Sequence, residues 1–179
     1  MTPASTIFRQ NKRVCYWDSE RHLSGPTKIA FEQQLKRFGD IEFVRLRNLE
    51  DPAFAPCDLL IIAANQVPEN ELLAWLNRIK IRIPAQNQIK PPALVLTDIG
   101  FAAIVDQFQD IVAENWYFDF VAPSQLDSLA IRTANLLRIH DHLHEIFRYD
   151  KQLRDMVHRL EEIEQRLHRT GLHKGDRSS

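Results

Sequence analysis

The sequence has little cysteine and almost no excess of charge of either sign. Only two cysteines, Cys15 and Cys57, occur in 179 residues. Both fall in apolar stretches, which predicts core thiols in a reducing, cytoplasmic compartment, with a disulfide as the alternative. The net charge of −1 leaves no overall field that would draw the chain onto nucleic acid or an anionic membrane. Without a helix-turn-helix, zinc-finger or base-stacking motif, no direct nucleic-acid binding by this chain is expected.

Long hydrophobic runs are also missing. No apolar stretch approaches the roughly 20 residues that a membrane-spanning helix needs. Residues 1–13 contain no apolar segment of the kind found in signal peptides. We therefore expect no membrane partner. Hydrophobic residues nevertheless make up 44% of the chain, which is ordinary for a protein that buries a core.

Short apolar segments alternate with amphipathic segments along most of the chain. The predicted strands are 13–17, 41–46, 58–63, 93–97 and 116–121, and the predicted helices between them are 26–38, 68–79 and 101–111. From residue 59 onward the third strand is wholly apolar, as a central parallel strand requires. Charged residues in the second strand suit a sheet edge. The pattern predicts an α/β fold with a five-stranded, doubly wound parallel sheet over residues 10–124.

Proline and glycine are both absent from residues 125–169, a stretch longer than one crossover helix requires. Apolar residues recur there three and four apart, which is the pattern of a heptad seam. The seam residues are Ile146, Tyr149, Leu153, Met156, Leu160, Ile163 and Leu167. Upstream apolar residues follow another frame, so the register shifts near Ile146. We predict an extended helix that forms a homodimeric coiled coil, followed by a flexible tail at 170–179. A helix folded back on its own domain is the alternative.

Small or polar residues stand at the ends of the predicted strands. These residues are Asp18, Glu20, Ala63, Thr97, Ala122 and Pro123. In open parallel sheets, ligands bind and reactions occur beyond the carboxyl ends of the strands. They are therefore the candidate functional residues of the domain.

The strand order and these strand ends resemble the receiver domain of bacterial response regulators over about residues 12–137. In that family, an acidic pair after the first strand holds Mg²⁺, and an aspartate ending the third strand accepts a phosphoryl group. A hydroxyl residue ends the fourth strand, and a Lys-Pro pair ends the fifth. The acids, the hydroxyl and the lysine together stabilise the charge of the transferred group.

Two positions depart from the receiver pattern. Ala63 occupies the phosphoacceptor position, and Ala122 occupies the lysine position. The other pocket positions keep residues of a similar type, namely Asp18, Glu20, Thr97 and Pro123, although Ser19 interrupts the acidic pair. A methyl group cannot attack phosphorus, so the resemblance points to a degenerate pocket. We predict a pseudo-receiver that signals without aspartyl phosphorylation.

The resemblance implies a non-enzymatic regulatory domain that controls an output module such as a transcription activator or a diguanylate cyclase. No cofactor is expected, apart from a residual Mg²⁺ at Asp18 and Glu20. One alternative is a small-molecule or nucleotide-binding module at the carboxyl edge of the sheet. Another is a true phosphoreceiver that uses the displaced acid Asp98. His140 and His144, one helical turn apart, have a spacing that can bind a metal, but no third ligand is evident.

Overall fold

Five parallel strands form one sheet in the computed structural model, which describes residues 11–18, 21, 23–47, 57–83, 85, 89–99 and 116–175. The strands are β1 (Lys12–Trp17), β2 (Ile41–Arg45), β3 (Leu59–Ala63), β4 (Ala93–Leu96) and β5 (Phe118–Val121). Their order is β2-β1-β3-β4-β5, and every neighbouring pair is parallel. The predicted fold class is confirmed, and the fold is flavodoxin-like.

β3 lies at the centre of the sheet because its residues are apolar on both faces. Every residue of the strand is buried. Leu59 and Ile61 belong to the core on one face, whereas Leu60 and Ile62 belong to the core on the other, as the alternation of side chains along a strand requires. β2, in which Glu42 is exposed, lies at the edge of the sheet.

Helices cover both faces of the sheet. α1 (Gly25–Lys36) and the beginning of α3 (Leu129–Gly175) contribute to the core on one face. α2 (Glu69–Arg82) packs against the other face, where Leu72 and Leu76 are buried. Fully burying a leucine side chain contributes about 1.5–3 kcal/mol, so these two contacts alone hold α2 firmly on the sheet. The sheet is doubly wound, as predicted.

Aromatic side chains line β5. The ring centroids of Trp116 and Phe118 lie 4.0 Å apart, and those of Phe118 and Phe120 lie 6.3 Å apart. The indole N–H of Trp116 donates a hydrogen bond of 2.7 Å to the carbonyl oxygen of Pro91. All three aromatic residues pack with the core that includes α2, so they share a face of the sheet. The strand itself begins at Phe118, two residues after the predicted start.

α3 is a continuous helix of 47 residues. It begins after the predicted position 125 because Pro123–Ser128 form a 3₁₀ helix, and it continues past the predicted end at 169. The chain divides into two compact units, one ending at Asp141 and the other beginning at His142. The first unit holds the whole sheet, and the second is the remainder of α3.

Three other expectations concern single features. The helix predicted at 101–111 lies outside the residues that the structure describes. No helix in the described ranges combines the length and the apolar composition that a membrane span requires. Cys15 and Cys57 are both buried and form no disulfide, which agrees with the prediction of core thiols; Cys57 lies just before β3.

Candidate functional site

The carboxyl edge of the sheet brings most of the predicted pocket positions side by side. The strand pairs place Trp17 beside Ile62, and Ala63 beside Leu96. The residues that follow these pairs therefore stand at neighbouring strand ends, and they include Asp18, Ala63, Thr97, Ala122 and Pro123. Glu20 lies outside the described residues.

Asp18 is buried at the end of β1, with 4% of its surface exposed. One carboxylate oxygen, Oδ2, accepts a hydrogen bond of 2.6 Å from the backbone N–H of Leu23. This contact closes the turn that leads into α1, a turn in which Arg21 adopts a left-handed backbone conformation with φ of 61°. The other oxygen, Oδ1, is buried without a hydrogen-bond partner among the described residues. Asp18 therefore has a structural role through Oδ2, whereas Oδ1 has no hydrogen-bond partner among the described residues.

The tip of β3 consists of methyl groups. Ala63 and the following Ala64 are both buried, and the N–H of Ala64 donates a hydrogen bond of 2.8 Å to the carbonyl oxygen of Leu96. The backbone therefore continues the sheet past the end of β3 and leaves these side chains packed inside. An alanine side chain offers no lone pair, so this position cannot accept a phosphoryl group.

Thr97 ends β4 with its hydroxyl group already engaged. The Oγ1 atom accepts a hydrogen bond of 3.2 Å from the N–H of Ile99, and the N–H of Thr97 donates one of 3.0 Å to Val121. The next residue, Asp98, is exposed, and its N–H donates to Oδ1 of Asn65 at 3.1 Å. These bonds fix the tip of β4 in place.

The end of β5 provides no cation. Ala122 is partly buried, and its carbonyl oxygen accepts a hydrogen bond of 2.8 Å from the N–H of Gln125. Pro123 begins the 3₁₀ helix that leads into α3. Neither side chain can stabilise the negative charge of a phosphoryl group. The two positions instead serve the turn from the sheet into the long helix.

No group of three or more histidine, cysteine, aspartate or glutamate side chains converges within the described residues. Because Glu20 is not among them, the residual Mg²⁺ site at Asp18 and Glu20 stays a prediction. His140 is only 1% exposed. The binding of a metal by His140 and His144 stays an untested alternative.

A second polar cluster lies near the amino ends of β1 and β3. Lys12 is 5% exposed, and its ammonium group forms an ion pair with Asp141 of α3. Asp58 lies 4.0 Å from the same ammonium and 3.7 Å from Nδ1 of His140. Its Oδ2 atom also accepts a hydrogen bond of 2.7 Å from the N–H of Arg13. The cluster ties β1, the start of β3 and α3 together.

The contacts within this cluster could not be predicted from the sequence. Lys12 and Asp58 stand at the beginnings of strands, where charged residues are usually solvated, and Asp141 lies in a polar part of the helix. The only available signal was the charge of residues that flank buried strands. That signal does not identify a partner 129 positions away.

The second unit exposes the predicted seam. The exposed fractions of its residues range from 52% to 65%, and the residues are Ile146, Tyr149, Leu153, Met156, Leu160, Ile163 and Leu167. Val157, which sequence reasoning left out, is 54% exposed beside them. Charged pairs such as Asp150 with Arg154 lie one turn apart on the same helix. The helix thus presents a long apolar stripe with charged flanks.

A shallow surface groove of about 460 Å³ lies at the amino ends of β1 and β2, away from the candidate pocket. Its lining mixes cations and carboxylates, including Arg13, Lys36, Asp40 and Glu42. Because both signs of charge alternate, the groove favours no ligand of a single charge. Parallel sheets of this kind bind their ligands at the carboxyl edge instead.

A scan against protein-family models gave no match, and a search of curated proteins found no significantly similar sequence. The candidate site is therefore interpreted from its own geometry.

Proposed function

We propose that the chain is a non-enzymatic regulatory unit: a receiver-like domain without a phosphoacceptor, which dimerises through α3 and controls an output module. A transcription activator or a diguanylate cyclase is the kind of output that the resemblance implies. The single observation that carries the proposal is the apolar seam of α3, every residue of which exposes more than half of its surface. Single exposed apolar residues are normal, but a contiguous stripe of them marks an interaction surface.

The emptied strand tip supports the absence of phosphorylation. Ala63 and Ala122 occupy the positions where the receiver family has its nucleophile and its lysine. The hydroxyl of Thr97 and one oxygen of Asp18 are engaged in local turns. The polar side chains at the carboxyl edge of the sheet therefore stabilise the fold. Regulation then does not depend on aspartyl phosphorylation.

A second copy of the chain is the partner that fits the seam. The spacing of three and four residues places the seam residues at positions a and d of a heptad, where identical helices interlock. In that frame Arg159 is a g residue and Glu164 is the e residue five positions later. In a parallel dimer these two residues of opposite charge face one another across the seam. We therefore propose a parallel, in-register homodimer.

Coupling between the domain and the coiled coil would run through α3 itself. The Lys12–Asp141 ion pair fastens the helix at the last residue of the first unit. The change of heptad frame follows near Ile146, and it allows two packings of the helices to interconvert. A partner that alters the domain would then alter the seam.

Cross-linking tests the dimer directly. Leu153→Cys and Leu160→Cys, each in a Cys15→Ala/Cys57→Ala background, should form an intermolecular disulfide under mild oxidation in dilute solution. Lys151→Cys, at the outer f position, is the matched control and should not. Sedimentation of the unmodified protein measures its mass independently. A monomer in sedimentation, together with equal cross-linking at positions 151 and 153, would disprove the proposal.

Incubation with a small phosphodonor and Mg²⁺ tests the second part of the proposal. We expect the intact mass to stay unchanged. A gain of one phosphoryl group that disappears in Asp98→Ala would assign the chain to the true phosphoreceivers. The absence of a disulfide between Cys15 and Cys57 supports a reducing compartment such as the cytoplasm.

One observation favours a different function, a small-molecule or nucleotide-binding module. Oδ1 of Asp18 is buried without a hydrogen-bond partner among the described residues, and a buried polar atom of this kind costs stability unless something satisfies it. Mg²⁺ alone and nucleoside phosphates are suitable probes. A rise in melting temperature that is lost in Asp18→Asn would support this function.

A further inference from the structure

Cys15 and Cys57 lie together in the core of the first unit. Cys15 is in β1. Cys57 precedes β3, which lies between β1 and β4 in the sheet. Both side chains belong to the same buried cluster, on the face of the sheet that α2 covers. The two thiols are close enough for each to alter the pKa of the other. They are therefore neighbours in space although 42 positions separate them in the sequence.

The backbone holds the two cysteines in place from both sides. The N–H of Asp58 donates a hydrogen bond of 2.9 Å to the carbonyl oxygen of Arg13. The Cys57 thiol donates one of 2.8 Å to the carbonyl oxygen of Leu59. These bonds hold the backbone next to each cysteine at the edge shared by β1 and the start of β3.

The two thiols differ in chemical character. Contact with the Cys57 thiol lowers the pKa of Cys15, despite the opposing effect of burial. Burial raises the pKa of Cys57 well above its usual value. The thiolate is the nucleophilic form of cysteine, so Cys15 is the better nucleophile of the two. Cys57 is the weaker acid of the pair.

We propose that Cys15 and Cys57 form a reversible intrachain disulfide when the protein meets a peroxide. The Cys15 thiolate attacks one peroxide oxygen, the S–O bond forms, the O–O bond breaks, and hydroxide leaves and takes up a proton to become water. The sulfur of Cys57 then attacks the sulfenic acid and transfers its proton to the departing hydroxide. The S–S bond forms, the S–O bond breaks, and a second water leaves. Two thiols and one peroxide thus give one disulfide and two waters.

The cysteine pair adjoins the polar cluster of Lys12, Asp58 and His140. Cys57 is followed by Asp58, whose carboxylate lies within 4.0 Å of both Lys12 and His140. Moving Cys57 toward Cys15 changes the position of Asp58 in this cluster. Cytosolic disulfides, where they occur, are usually transient and sense the redox state. Oxidation would then be an input to the domain that needs no phosphoacceptor.

The experiment uses the unmodified protein and hydrogen peroxide. Because both thiols are buried, peroxide enters only when the structure opens locally, and we expect the reaction to take minutes to hours. Loss of two hydrogens lowers the intact mass by about 2 Da. Titratable thiols should fall from two to none, and dithiothreitol should restore both. The product should run as a single chain on a denaturing, non-reducing gel.

Two variants identify the order of the steps. Cys57→Ala should leave a sulfenic acid at Cys15 that a dimedone reagent traps, whereas Cys15→Ala should give far less trapped product. If a variant does not fold, the mass of the oxidised wild-type protein still decides the question. Mass gains of one or more oxygen atoms without a disulfide would overturn the proposal, as would a disulfide between two chains or unchanged thiols after overnight treatment.

Discussion

The ammonium group of Lys12 pairs with the carboxylate of Asp141, 129 positions later in the sequence. Lys12 opens β1, and Asp141 is the last residue of the first unit on α3. A buried ammonium loses its hydration and needs a partner that remains in place. The pair therefore fixes the axial position of α3 against β1.

Removing the carboxylate should leave the buried ammonium poorly compensated. We expect Asp141→Asn to lower the free energy of unfolding in urea by about 1–3 kcal/mol, less than for a fully enclosed pair because Asp141 is partly exposed. Asp150→Asn is the matched control, since it breaks an exposed pair with Arg154 and should change stability by less than about 0.5 kcal/mol. Equal effects of the two substitutions would contradict a special role for Lys12.

An acid introduced at the tip of β3 should not create a phosphorylation site. Ala63→Asp places a carboxylate in a buried position beside Asp18, and we expect it to destabilise the fold by about 3 kcal/mol or more. Ala74→Asp, on an exposed position of α2, should cost less than about 1 kcal/mol. Urea unfolding gives both values. A stable Ala63→Asp protein that gains phosphate from a small donor would show that the pocket is intact.

The parallel orientation of the proposed dimer can be tested by exchanging charges. Arg159→Glu puts like charges at facing e and g positions of a parallel dimer, and we expect the dissociation constant to rise about tenfold. Arg159→Glu combined with Glu164→Arg should restore the affinity, because the pair is re-formed with its charges reversed. Lys151→Glu, at the outer position, serves as the control in the same sedimentation experiment. Failure of the double exchange to restore the affinity would argue for an antiparallel arrangement.

The hydrogen bond between the Trp116 indole and Pro91 should contribute to the stability of the β5 edge. Trp116→Phe leaves the Pro91 carbonyl buried and without this donor, and we expect a loss of about 1–2 kcal/mol in the free energy of unfolding. Tyr117→Phe removes a hydroxyl from the adjacent exposed residue and should have an effect below about 0.5 kcal/mol. Similar losses for the two variants would mean that ring size, and not the hydrogen bond, dominates.

The fold could be predicted because the signals that determine it are local. Leu59 to Ala63 are apolar at every position, and only a strand covered on both faces accommodates such a run. The start of α3 was placed too early because Pro123 and Ser124 fit a helix start in sequence, whereas the chain forms a 3₁₀ turn there.

The polar contacts could not be predicted in the same way. The sequence around Lys12 and Asp58 does not indicate that Asp141 and His140 are their neighbours. These contacts form only when α3 packs along the sheet. The proximity of Cys15 and Cys57 has the same origin. Sequence patterns report which face of an element is apolar, while a buried ion pair depends on the relative position of two elements along their lengths.

Under the proposed function, the methyl group of Ala63 would also limit how long a signal can last. A phosphorylated aspartate stores information in a covalent bond, so its lifetime is set by hydrolysis and outlives the stimulus. Association at the seam of α3 leaves no such memory, and its state returns to baseline as fast as the partner dissociates. Through that seam, the chain would therefore report the present concentration of its effector rather than its history.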